Sequence, residues 1–223
     1  MRAIVSVGTG HYGEKLDRLL SNIGDAPSIY WKELPQTWPT HHQVPYGFKA
    51  YAINSASYNA STILWCDSSI VPIKPLDSLF DLIEKQGYWF SENLPYGRLD
   101  LPAHNCGEWC ADTALAPLGI EREEAFRIPQ IIATSFGLDL SNPRIKEFFD
   151  QFMRLARDET AFKGPWRNDD GQASKDSRVK GHRHDQTVLS VLAWRYGMNL
   201  TTPPDWIVDG VLAGPNTVME IHR

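Results

Sequence analysis

Hydrophobic positions along the chain come in short blocks, and the blocks alternate between two periods. Residues 3–7, Ala-Ile-Val-Ser-Val, form a buried-strand pattern cut by Gly8-Thr9-Gly10. Leu16, Leu19, Leu20 and Ile23 then recur at helical spacing until Gly24 stops them. Residues 28–31 predict a second strand, and Pro35, Pro39, Pro45 and Gly47 place 32–47 in a loop. Apolar spacing over 48–58 predicts a helix that leads to the strand Thr62-Ile63-Leu64-Trp65-Cys66. A further helix signal follows at Lys74-Pro75-Leu76-Asp77, running into Leu79, Phe80, Leu82 and Ile83. Strands alternating with helices through short links predict an α/β fold, with a mostly parallel central sheet flanked by helices.

The second half is more irregular. Tyr88-Trp89-Phe90 reads as a strand, and the stretch 91–110 reads as a long loop rich in proline and glycine. A strand is expected within 130–140. Pro143 then opens a helix whose apolar side carries Ile145, Phe148, Phe149, Phe152 and Leu155. Residues 160–181 form a second long polar loop, and a last helix runs from about Asp185 to Tyr196 before Gly197. No repeat or linker interrupts residues 1–223, which are therefore expected to form one domain.

An aspartate directly after a buried strand is costly unless its charge is used, and Asp67 follows Cys66 in that way. In open α/β sheets that edge is where ligands bind. Asp67 with Ser69 therefore either caps the next turn or holds a divalent cation on a nucleotide diphosphate. Gly8 and Thr9 offer backbone amides and a hydroxyl to a base or ribose, although the longer dinucleotide glycine pattern is absent. Lys49 opens the helix ahead of the Asp67 strand, where an ammonium has a diphosphate as a natural partner. Gly181-His182-Arg183-His184-Asp185-Gln186 stands before the last helix, with more charge than a cap requires. His184 and Asp185 are candidates to face phosphates, a sugar hydroxyl or the acceptor.

Composition narrows the partners. The net charge of −5 disfavours bulk electrostatic capture of nucleic acid, though Arg178, Lys180, His182, Arg183 and His184 make a local basic cluster. The three cysteines, Cys66, Cys106 and Cys110, fit a reducing cytoplasm better than a disulfide scaffold. His104, Cys106, Glu108 and Cys110 lack the second pair that a zinc site needs. Trp89, Trp109 and Trp166 stand in or beside the long loops, where indole faces suit sugar rings as well as core packing. His222 lies near the chain end, either as a surface residue or closing over the site. The opening apolar run is too short for a signal peptide, and no stretch reaches membrane-spanning length.

Four segments in order resemble the GT-A nucleotide-sugar glycosyltransferases, in particular small glycogenin-like and phage or bacterial polysaccharide-type members. They are Val7-Gly8-Thr9, the Lys49 helix before Leu64-Trp65-Cys66-Asp67-Ser68-Ser69, Thr134-Ser135-Phe136-Gly137-Leu138, and His184-Asp185-Gln186. The resemblance implies transfer of a sugar from a nucleotide-diphosphate donor to a hydroxyl acceptor, a glycan or a hydroxymethylated base of phage DNA. It implies Gly8, Thr9, Lys49, Asp67, Ser69 and Gln186 as donor contacts and Asp185 as a donor-sugar, acceptor or catalytic residue, with His184 beside it as a further catalytic candidate. Asp67 would hold Mn2+ or Mg2+, with Ser69 standing where a second aspartate is usual. A nucleotidyltransferase and a non-catalytic nucleotide-sugar-binding module are the alternative readings.

Overall fold

The computed structural model describes residues 1–95, 100–203, 205–209 and 213–222. Its centre is a five-stranded sheet in the order β2-β1-β3-β6-β5. The strands are β1 (Arg2–Val7), β2 (Ser28–Trp31), β3 (Thr62–Cys66), β5 (Tyr88–Trp89) and β6 (Ser135–Asp139). A smaller sheet joins β4 (Ile70–Pro72), β8 (Met219–Ile221) and β7 (Ile207–Val208).

Successive side chains of a strand point to opposite faces, and here both faces are covered. Ala3, Val5 and Val7 of β1 and Ile63 and Trp65 of β3 enter one core layer. That layer is closed by α2 (Phe48–Ala56), α6 (Pro143–Asp158) and α7 (His184–Arg195). Ile4, Leu64 and Cys66 enter the other, under α1 (Gly13–Asn22) and α3 (Asp77–Gln86). All five residues of β3 are buried, which explains why its sequence is apolar without alternation. Two short helices, α4 (Asp112–Leu118) and α5 (Arg122–Ala125), lie within the second half. Among the described residues no helix is long and apolar enough to cross a membrane.

β1 pairs in parallel with β2 and β3, whereas β6 pairs antiparallel with both β3 and β5. Four of the five strands thus run in one direction and β6 runs against them. The expected 130–140 strand is real only from Ser135. Before it, residues 130–134 turn along the sheet edge, and Asp67 N donates to Thr134 O at 2.8 Å. The reversed β6 therefore lays 133–134 beside Asp67.

Gly137 sits opposite Leu64 in this pair. A Cβ there would stand 2.3 Å from Ile83 Cδ1, so the glycine is what lets α3 rest on the sheet. Gly137→Ala is expected to destabilise by about 1–3 kcal/mol through overpacking. Ile83→Val in the same background should recover part of that loss in urea unfolding, and equal, additive losses would contradict the contact.

Candidate active site

At the carboxyl end of β3 the chain buries a lysine between two aspartates. Lys49 leaves the first turn of α2 and is 2% exposed. Its Nζ lies 2.9 Å from Asp67 Oδ1 and 2.8 Å from Asp185 Oδ2, and it donates to the Ala133 carbonyl at 2.9 Å. The Trp65 indole donates to the same Asp67 Oδ1 at 2.8 Å. The ammonium also lies 5.2 Å from the Tyr46 ring centroid and 5.5 Å from that of Trp65.

Burial works against the charge of Lys49, but Asp185 and Asp67 outweigh it and hold the ammonium protonated beyond its ordinary range. Asp185 goes the other way. Burial raises its carboxyl to about 6 despite the attraction of Lys49. The two directions are compatible because one ammonium divides its charge between two carboxylates. Asp185 Oδ2 and the ammonium form a buried, charge-assisted pair at 2.8 Å. Asp185 stands with Lys49 and Asp67 on the wall of a cavity.

The cavity holds about 110 Å³ and is lined by Tyr46, Lys49, Asp67, Ala133, Thr134, Trp166, Arg183, Asp185 and Gln186. It is smaller than the ~300–1,000 Å³ of a full ligand pocket and fits a small polar group. Trp166 is 48% exposed and stacks over His184 at 5.5 Å. A larger cavity of about 600 Å³ lies elsewhere, at the amino ends of β1 and β2 between Arg2, Pro27 and Phe80. Of its two cations, Arg2 is already bound to Asp81 and Glu84, and Lys74 donates to the Pro215 carbonyl. The smaller cavity carries the chemistry because its charges converge.

No protein-family model matches the chain, and no curated protein matches its sequence. Solved structures do match its backbone. A glycosyltransferase involved in the glycosylation of the major capsid of PBCV-1 superposes with a TM-score of 0.54 at 14% identity, covering 99% of this chain and 93% of its own. Mouse xyloside xylosyltransferase 1 gives 0.53 at 7% identity, covering 100% of this chain and 98% of its own. The fold is that of the GT-A glycosyltransferases.

Within this GT-A fold, Lys49, Asp67, Asp185 and Gln186 meet at one cavity. Gln186 is placed by an amide chain, donating to Gln130 Oε1 at 2.9 Å, which also accepts from Asn93 at 3.3 Å. Other expected residues do not line it. A Cβ on Gly8 would meet Leu16 Cβ at 2.6 Å and Tyr12 O at 2.7 Å, so this glycine admits α1 to the strand end. Thr9 accepts from Tyr12 N, and Ser69 accepts from His222 N through its backbone. The His222 ring turns to Glu220 at 3.0 Å. His184 is buried, and its Nδ1 donates to the Phe162 carbonyl at 2.8 Å. Its ring packs the cavity wall from behind.

The basic cluster is also redistributed. Arg178 pairs with Asp176 and Glu123, and Lys180 with Glu108. Burial lowers His182 to about 3 and His184 to about 4, so both are neutral. Trp89 and both Cys106 and Cys110 belong to the core, where burial raises the thiols. One contributor emerges only in three dimensions, Tyr46, held at φ 60. The Pro45–Gly47 bracket was a turn signal for Tyr46. Arg183 of the basic cluster and Trp166 of the loop tryptophans also line the cavity, and only the fold separates Trp166 from Trp89.

A divalent cation fits these residues poorly. Asp67 Oδ1 is taken by Lys49 and Trp65, and Ser69 offers no carboxylate. Among the described residues no three His, Cys, Asp or Glu side chains gather to hold a metal.

The titration of the site sets a pH dependence of stability. Between about pH 6.5 and 4, unfolding lets His182 and His184 take up protons that the folded chain refuses, so stability falls as pH falls. Asp185 opposes this, because the folded chain keeps its proton up to about pH 6 and the unfolded chain releases it. The three together leave a net uptake of one proton, about 1.4 kcal/mol per pH unit, and His41 and His104 add in the same sense. Asp185→Asn should steepen the slope of unfolding free energy against pH by about one proton. A slope that stays the same or flattens would contradict the assignment.

Proposed function

We propose that the chain is a glycosyltransferase that moves a sugar from a nucleotide-diphosphate donor to a hydroxyl of a glycan acceptor, with Lys49, Asp67, Asp185 and Gln186 as its donor-sugar site. The observation that carries this reading is the convergence of Lys49, Asp67, Asp185 and Gln186 on one cavity at the carboxyl end of β3. Carboxylates and an amide on one wall suit the accepting and donating hydroxyls of a sugar. Gln186 adds an amide to the same wall, and the exposed face of Trp166 offers an apolar platform for a ring. The GT-A fold supports the class, and the carboxyl-end location matches where α/β sheets bind ligands.

In the reaction, the bond from the anomeric carbon to the diphosphate breaks with its electron pair on the phosphate oxygen. The acceptor oxygen bonds to that carbon, and its proton passes to a phosphate oxygen. The protein's part is orientation, with ionised Asp185 accepting from a donor-sugar hydroxyl and Lys49 keeping that carboxylate in place. A glycan acceptor is favoured over DNA because Arg178, Lys180, His182 and His184, the basic cluster that DNA would need, are spent internally or neutral.

A panel of UDP-, GDP- and dTDP-sugars tests this by release of nucleoside diphosphate, with sugar or glycan acceptors added. One donor should be consumed, with kcat/KM rising as pH passes about 6, since the ionised form of Asp185 is the working one. Asp185→Asn should lose at least ~100-fold in rate and lack that acid limb. Binding of a donor without turnover would favour the binding-module reading. Failure to bind any of them would refute the proposal.

A further inference from the structure

Arg183 is the member of the basic cluster that the fold leaves without a carboxylate. Its guanidinium carbon lies 3.6 Å from the Trp109 ring centroid and 4.0 Å from that of Trp166, a planar cation held between two planar rings. Nη1 donates to the Trp166 carbonyl at 2.8 Å and, at 3.4 Å, to that of His182. Among the described residues Arg178 has Asp176 and Glu123, Lys180 has Glu108, and Lys49 has Asp67 and Asp185. Arg183 has none, although two of those carboxylates line the same cavity. Burial alone lowers its proton affinity, to about 10.

A half-buried cation with no counter-charge is unfavourable, and the two indole faces offset only part of that cost. The fold nevertheless builds the position with care. Gly181, at φ 154, would put a Cβ 2.1 Å from the Trp166 carbonyl oxygen, so the 164–167 segment presses directly on the backbone beside Arg183. His182 N binds Pro165 O and Arg183 N binds Trp109 O, which fixes the arginine against both tryptophans. With Nη1 donating to the Trp166 and His182 carbonyls, three of its five N–H donors could still serve a ligand.

The charges on the cavity wall complete the case. Lys49, Asp67 and Asp185 together carry −1, so the donor's diphosphate would meet a net negative site unless another cation stood there. Among the described residues no three His, Cys, Asp or Glu side chains gather to hold a metal in that place. We propose that Arg183 binds the diphosphate of the donor and takes up the negative charge that builds on it as the anomeric carbon–oxygen bond breaks. The electron pair stays on the phosphate oxygen, which the guanidinium stabilises by charge-assisted hydrogen bonds. This rests on the glycosyltransferase reading and makes that reaction independent of a divalent cation.

The test is calorimetric binding in EDTA of pyrophosphate, of UDP, GDP and dTDP, and of the corresponding nucleosides. It compares the wild-type chain with Arg183→Gln and Arg183→Lys, each first shown to keep its far-UV spectrum and melting temperature. At least one nucleoside diphosphate should bind wild type without metal, weaken at least ~10-fold in Arg183→Gln and recover in part in Arg183→Lys. Nucleoside affinity should not change, and added salt should weaken diphosphate binding to wild type more than to Arg183→Gln. Equal diphosphate affinity in wild type and Arg183→Gln would overturn the proposal while leaving the glycosyltransferase reading intact, as would binding that appears only with Mn2+. Pyrophosphate bound through Arg183 with no nucleoside diphosphate bound would keep the anion site and remove the glycosyltransferase reading. No anion bound to wild type would overturn both.

Discussion

One buried ammonium organises the functional edge of this protein. Lys49 arises from α2, yet it reaches Asp67 after β3, Asp185 at the start of α7 and the Ala133 carbonyl before β6. Four chain segments far apart in sequence are thereby tied to one nitrogen. Removing one partner from such a buried set costs about 3–5 kcal/mol, because the other charges are left uncompensated. A buried ion pair adds little net stability compared with apolar packing, so its value here is geometric. It fixes two carboxylates at a cavity wall.

The same economy of charge runs through the surrounding loops. Arg178, Lys180 and Arg2 are each matched to acids, and the two histidines beside Arg183 are held neutral by burial. Asn168 knits the long 163–181 segment by accepting from Ala173 N and Ser174 N and donating to the Ser174 and Val179 carbonyls. That segment presents Trp166 at the cavity mouth. Tyr46 and His184, both held at positive φ, face one another at 5.9 Å across the same wall. Strained backbone at a site of converging charge is what a preorganised ligand position requires.

How much of this was legible in the sequence depended on how local each signal was. Asp67 could be read because a charge after five apolar strand residues has no cheap local explanation. Asp185 and Gln186 could be read because a charged cluster opened an apolar helix. Lys49 was readable only through its place before that strand, and its burial was not. The direction of β6 was hidden because hydrophobic pattern fixes faces and not polarity. β4, β7 and β8 are two or three residues long, below what periodicity can register. Gly8 looked like a ligand turn but serves helix packing, and His184 looked reactive but is a buried wall. Arg183 stood in plain view within the basic cluster, and only its seat between two indoles on the cavity wall sets it apart.

The most direct measurement is a double-mutant cycle at Lys49 and Asp185, read by urea unfolding of wild type, Lys49→Met, Asp185→Asn and the double variant. If the ammonium is what holds the buried carboxylate, Lys49→Met should cost several kcal/mol and Asp185→Asn in the same chain should return much of it, a coupling of about 2 kcal/mol or more. Additive losses, with no coupling beyond ~0.5 kcal/mol, would mean that the two charges are held independently and that the account of the site is wrong.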